Sequence, residues 1–388
     1  MPSHAQSDRS AFSCFMGYFL GLLLAFTSGA SAAEPAPLRL IQTVPLPHVK
    51  GGFDLMAADV AGKRLFLAAE DNNTLEVIDL AAGVHRHSIG GMAEPKWVVY
   101  RPESQRLYVS NGGDGSVRVL DSRTFECIKR FDFREKANNL RYDAAKKQLF
   151  VGVGKTYGAI GVIDAARDVI VGEIPLANYP KQFELDGDRL YVNVPQANHI
   201  AVLDRTKMTP VETWPVSEAR ENVPMGFDAA HHRLFIGCEP GKLVVFDTTA
   251  GKSVAHVEIN AASDGISYDA ARKRIYVSCA AGSIDVIEQL DADHYKFAAR
   301  IPTAPGAGTS LFIPELNRFC LAVPQKDNQQ AELRLYEAGV LVNRDSVRHS
   351  LGRVEGQDAG FPSDLVFTRR GAAHREGGTT FFRSKISW

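Results

Sequence analysis

The sequence predicts an all-β fold: a seven-bladed β-propeller of four-stranded antiparallel blades, its ring closed by an N-terminal strand. Three observations carry this. A strand–turn–strand phrase recurs seven times, beginning at Arg64, Arg106, Gln148, Arg189, Arg233, Arg274 and Arg318, spaced 42, 42, 41, 44, 41 and 44 residues apart. Each unit holds four short alternating or apolar runs separated by turn residues, the length and content of one propeller blade. No stretch offers a convincing long amphipathic helix, which argues against parallel βαβ architectures.

The elements follow in chain order. MPSHAQSDRS is polar, AFSCFMGYFLGLLLAF is apolar, and TSGASAAEP supplies small residues ending in Ala-Ser-Ala. This is the pattern of a secretory leader over 1–33, with cleavage expected near Ala32 or Ala33. The apolar run is short for a membrane span, so a periplasmic or secreted protein with no membrane attachment after cleavage is expected. LRLIQTVPLP (38–47) then reads as a lone strand ahead of the first complete unit. It ends in Val44-Pro45, as the fourth runs of later units end in Ile174-Pro175, Trp214-Pro215 and Ile301-Pro302. Proline suits an outer edge, which has no further strand to receive its missing N–H. The segment is therefore expected to complete the last blade, in competition with VLVN at 340–343.

Within each unit a short first run carries an aromatic anchor six residues before the repeat Arg or Gln: Tyr100, Tyr142, Phe183, Phe227, Tyr268 and Phe312, with Ala58 in the first unit. The second and third runs form a hairpin, as in RLYVSNGGDGSVRVLD (106–121). Fourth runs include VIVGEIPL (169–176) and KSVAHVEI (252–259). The third runs end in Asp79, Asp121, Asp164, Asp204 and Asp247; these recur with the blade and suit turn capping better than metal binding. The propeller is placed at 38–343. After Asn343 the periodicity stops, and 344–388 is expected to be a flexible tail.

RLYVSN, RLYVNV and RIYVSC, each with its following x-V-x-V-[IL]-D strand, resemble the YVTN-type repeats of YncE-like exported bacterial proteins. The resemblance runs from about 38 to 338. It implies a seven-bladed periplasmic binding propeller without a well-established common reaction.

Composition bounds the function. The 388 residues carry a formal net charge of −1, which argues against a protein built mainly for nucleic acid. Cys238 and Cys279 sit at matching points of neighbouring units, too far apart for a disulfide, so free thiols are expected. GVGKTYG (152–158) lacks the first Walker glycine, where Leu149 stands, and joins two strands instead of opening a helix. No Cys-x-x-Cys-His and no Gly-x-Ser-x-Gly occurs. His231-His232 reads as a turn. No catalytic residue, metal or cofactor is assigned.

The loops that lead into the innermost strands gather at one mouth of a propeller's channel. They bring Asp54, Glu94, Lys96, Trp97, Asn138, Arg141, Tyr179, Lys181, Asn222, Asp264, Thr309 and Ser310 into candidacy as ligand-binding residues. Mixed charge at a mouth suits a polar small molecule or a peptide segment of a protein partner. A lactonase-like hydrolase would need a metal among Asp54, Glu94, Asn138 and Asp264. Single-stranded DNA would need a basic groove with aromatics, for which Lys96, Trp97, Arg141, Tyr179 and Lys181 are the candidates. A monomer is expected.

Overall fold

The computed structural model describes residues 36–339. The expected leader and tail, and the rival closing segment VLVN, lie outside the described residues. Twenty-eight strands form seven four-stranded antiparallel sheets. Two 3-10 turns, Pro195–Ala197 and Pro314–Leu316, complete the regular structure. The fold is a seven-bladed β-propeller.

Blade 1 begins with the inner strand Met56–Asp59 and ends with the outer strand Val84–Ile89. Blades 2 to 6 repeat the plan, with inner strands Pro95–Arg101, Ala137–Asp143, Phe183–Asp186, Met225–Asp228 and Ser263–Asp269. Blade 7 takes Ser310–Ile313, Arg318–Val323 and Glu332–Ala338 from the end of the chain, and Leu38–Pro45 from its beginning. The pairing runs from Leu38 opposite Ala338 to Pro45 opposite Glu332, so the N-terminal strand closes the ring. A bulge between Leu40 and Gln42 shifts the side-chain alternation, so Leu40 is 48% exposed while Ile41 packs inward.

The core lies between blades. Each of seven hydrophobic clusters joins residues of two neighbouring sheets. The recurrent aromatics make these joints: Tyr100 meets Phe66 of blade 1 at 5.6 Å between ring centres, and Tyr268 meets Phe235 of blade 5 at 5.3 Å. Phe312 likewise meets Tyr276 of blade 6 at 5.5 Å. Ala58 stands where the series has no ring, and packs into the cluster that joins blade 7 to blade 1. A buried large apolar side chain contributes about 1.5–3 kcal/mol.

The repeat Arg is a second joint, on the face where the inner strand turns into the second strand (the lower face). Arg64 donates to Ser122 O of blade 2 at 2.8 Å, and Arg106 pairs with Asp168 of blade 3 at 2.9 Å. Arg233 reaches Asp293 of blade 6 at 2.7 Å. Buried Arg274 donates to Gly339 O at 2.9 Å and Pro37 O at 3.4 Å, where the two ends of blade 7 meet.

Turn chemistry is equally repetitive. Lys63, Gln105, Lys147, His232, Lys273 and Asn317, one residue before the repeat position, all adopt positive φ near 50°. This makes His232 a turn residue; its neighbour His231 contacts Asp228 at 2.7 Å. The third-strand carboxylates cap turns: Asp79 accepts from Ala81 and Ala82 N–H at 2.9 Å, and Asp204 from Thr206 and Lys207 at 3.0 and 2.9 Å. These bonds hold both carboxyls below the ordinary Asp range. Gly154 and Gly158 bound the hairpin loop of GVGKTYG.

All four cysteines of the described residues are free. Cys127 is exposed, and burial pushes Cys238, Cys279 and Cys320 up to about 12, so those thiols stay protonated and unreactive.

Candidate functional site

The residues proposed from the sequence separate into a charged layer, a lateral cleft and a channel lining. The first lies at the upper face, where the chain passes into the inner strands. There Asp54, Lys96, Asn138, Tyr179, Lys181 and Asp264 come together from blades 1, 2, 3, 4 and 6. Lys96 is buried, and its ammonium lies 4.0 Å from Asp54 and in direct contact with Glu70. Asn138 Nδ2 donates to the Tyr179 hydroxyl at 2.5 Å. Lys181 Nζ sits 5.6 Å from the Tyr179 ring centre.

Electrostatics in this layer are unusual. Burial, reinforced by repulsion from Asp264, lifts Asp54 to about 7, against the pull of Lys96 and Lys181. Burial also raises Asp264, opposed by the same two lysines. Lys96 is lowered to about 8, chiefly by burial, and neighbouring Lys136 pushes in the same direction. Near neutral pH Asp54 therefore exchanges its proton beside Asp264 and Lys96.

Sequence reasoning missed three members. Glu70 closes the RLFLAAE run of blade 1 and pairs with Lys96. Lys136 stands beside Lys96 across Gly112, where a Cβ would lie 2.7 Å from one side chain and 2.9 Å from the other. Gln182 is buried; it donates to Asp264 O at 3.1 Å and accepts from Met225 N–H at 3.1 Å, tying blades 4, 5 and 6. Its position, seven residues before Arg189 and one before the inner strand, matches that of Ala57, Val99 and Arg141 in earlier blades, which also line the channel.

Glu94 belongs to the lateral cleft, a depression of about 620 Å³ across the upper face of blades 2, 3 and 4. It is bounded by the NGGDG hairpin, Arg134, Lys136, Lys155, Tyr179 and Gln196. Two of its acids are engaged. Asp114 accepts from Ser116 at 2.6 Å, Arg118 at 2.8 Å and Arg130 at 3.1 Å, and Glu135 accepts from Thr156 N–H at 2.7 Å. Arg134, Lys136 and Lys155 make no salt bridge among the described residues.

Trp97, Arg141 and Ser310 instead face the central channel. Arg141 stacks 4.4 Å from the Trp97 ring centre and pairs with Glu184 at 2.7 Å. Two remaining candidates serve the frame. Thr309 donates to Phe53 O at 3.3 Å. Buried Asn222 donates to Asn193 Oδ1 at 2.9 Å and His199 O at 3.0 Å, between blades 4 and 5. Among the described residues no three His, Cys, Asp or Glu converge as metal ligands. Nor is any helix among them long and apolar enough to cross a membrane.

No family model matches the chain. It is 31% identical over 98 residues to YncE of Salmonella typhi, a protein itself described as uncharacterized, and 30% identical over 98 residues to the Salmonella typhimurium counterpart. These matches cover 25% of this chain, which spans only 28% of the length of either relative. Solved structures agree on the fold alone. The RRP9 WD40 repeats superpose with TM-score 0.68 at 9% identity, covering 79% of this chain and 99% of that one. A chain of Kuenenia stuttgartiensis hydrazine synthase gives 0.62 at 19% identity, covering 71% and 94%.

Proposed function

We propose that the chain is an exported binding propeller that holds a small molecule or peptide segment bearing a carboxylate or phosphate. The upper-face cleft is the seat, and the charged layer beside Tyr179 is its inner end. The single observation that supports this is the charge balance of the cleft. Arg134, Lys136 and Lys155 are available to a ligand, whereas Asp114 and Glu135 are committed to neighbours. An anion entering there would meet three cations against one carboxylate, Glu94, whose side chain has no hydrogen-bond or salt-bridge partner among the described residues. The leader-like N-terminus favours export.

The test is calorimetric titration of the mature chain with citrate and with inorganic phosphate at low salt, where exposed charges are least screened. The reading expects saturable binding that weakens at least about tenfold in Lys136→Glu/Lys155→Glu, since each reversal replaces an attraction with a repulsion. Equal binding by the variant would remove the cleft from consideration. N-terminal sequencing of protein recovered outside the cytoplasm should begin near Ala33 or Glu34.

A further inference from the structure

Beneath the charged layer the central channel is a cavity of about 410 Å³, within the usual range for small-molecule sites. Leu55, Ala57, Val99, Ile266 and Leu311 supply apolar walls from blades 1, 2, 6 and 7. Its upper end meets buried Trp97 and Gln182, under the buried Lys96 and Thr309. Its other end reaches exposed Pro314 and Glu315 on the lower face. The space is thus a cup that opens on the side opposite the cleft.

One polar group matters inside it. Arg141 donates through Nε and Nη2 to Glu184 at 3.2 and 2.7 Å, and through Nη1 to Leu140 O at 3.1 Å. A guanidinium carries five N–H groups, so one on Nη1 and one on Nη2 are without a partner among the described residues. Glu184 already balances the charge. A carboxylate brought to Arg141 would crowd a second anion beside Glu184 in an apolar cup, whereas a carbonyl oxygen would accept the free N–H groups with no charge to bury.

We propose that this cup is a separate ligand site for an uncharged, mostly apolar small molecule carrying one carbonyl-type acceptor, held by its apolar body against the blade 1, 2, 6 and 7 walls and by its acceptor at Arg141. The site is independent of the anion cleft.

Acetophenone and benzoate, similar in size and different in charge, are suitable probes, titrated into the mature chain by calorimetry. Acetophenone is expected to bind saturably and at least about tenfold more tightly than benzoate, the penalty for a desolvated second anion. Ala57→Trp should fill the cup and weaken acetophenone at least about tenfold, as steric exclusion from a site requires. Leu311→Phe serves the same purpose should the tryptophan variant lose its β-sheet circular dichroism. Glu184→Gln should narrow or reverse the preference, because Arg141 then has an uncompensated charge. Lys136→Glu/Lys155→Glu should leave acetophenone unaffected. Absence of saturable acetophenone binding would overturn the proposal. So would binding that survives both filling substitutions, binding lost with the cleft lysines, or a preference unmoved by Glu184→Gln.

Discussion

At the residue scale, Asp54 shows what the propeller does to ordinary side chains. Its carboxyl keeps 21% exposure yet titrates near 7, because water is scarce and Asp264 shares the layer. The folded chain thus retains a proton that the unfolded chain has released once pH exceeds about 4. Stability from this group therefore falls as pH rises from about 4 to 7, and the whole penalty is present above 7. Asp54→Asn should raise Tm by about 2–4 °C at pH 8, the shift expected for a 1–2 kcal/mol gain in a chain of this size. The gain at pH 5 should be less than half as large. Scanning calorimetry at both pH values decides the matter, and an equal gain at each would mean that Asp54 does not titrate in this window. Lys96 keeps its contact with Glu70 in that variant, so the ammonium is not stranded.

The same scale shows where sequence reading stopped. Position within the repeat found six of the residues that share the charged layer, because the loops feeding the inner strands must meet near the axis. It could not sort Trp97 and Arg141 from Lys96 and Asn138, because a one-residue step along a strand exchanges two environments. Glu70 lies on the hairpin loop of blade 1 and Lys136 one residue before the inner strand of blade 3, and only the packing of neighbouring sheets brings them to Lys96. The repeat Arg was legible as a period and silent as a contact. Its partners, Ser122, Asp168, Asp293 and Gly339, stand 58, 62, 60 and 65 residues further on, but two are carboxylates and two are backbone carbonyls, so no residue type recurs with the Arg.

At the element scale, the outer strands show how a ring of sheets manages its rim. In all seven blades the pairing of the last two strands contains a register shift. Several outer strands also end near a proline. Bulges and prolines both spoil an edge as a template for further pairing. The prolines were readable, and they identified Leu38–Pro45 as an outer strand before its partner was known. The bulge at Ile41 was not readable, because a single inserted residue leaves no signature in an apolar run. The register can be tested chemically. Arg39 lies opposite Glu337, with their side chains 2.6 Å apart, so Arg39→Cys/Glu337→Cys should form a disulfide within one chain under mild oxidation. Mass spectrometry showing only free thiols or intermolecular dimers would place the strand elsewhere.

For the whole molecule, stability is distributed over seven inter-blade joints with no single centre. Val44 and Leu46 are fully buried in the joint between blades 7 and 1, and Leu38 in the joint between blades 6 and 7. One short strand thus serves two of the seven joints. Removing 36–46 from the mature chain should lower Tm by at least about 5 °C, the scale expected when several buried apolar side chains are lost together. It should also bare the Glu332–Ala338 edge, and light scattering should detect association. A deletion variant with unchanged Tm that remains monomeric would contradict this distribution.

The ring's seam also sets an order in time. Leu38 pairs with Ala338, and Arg274 reaches the carbonyls of Pro37 and Gly339 on either side of the junction. A chain delivered N-terminus first therefore presents its closing strand at the outset and the partner of that strand about 300 residues later, some 15–60 s at ordinary translation speeds of roughly 5–20 residues per second. Throughout that interval Leu38, Val44 and Leu46 have no blade to enter. Six blades can stack one upon the next as they emerge, whereas the seventh awaits a segment made before any of them. The earliest strand to arrive is the last to find its pairing partner, and its Val44 and Leu46 then reinforce the contacts that Ile313, Cys320 and Leu333 make with blade 1.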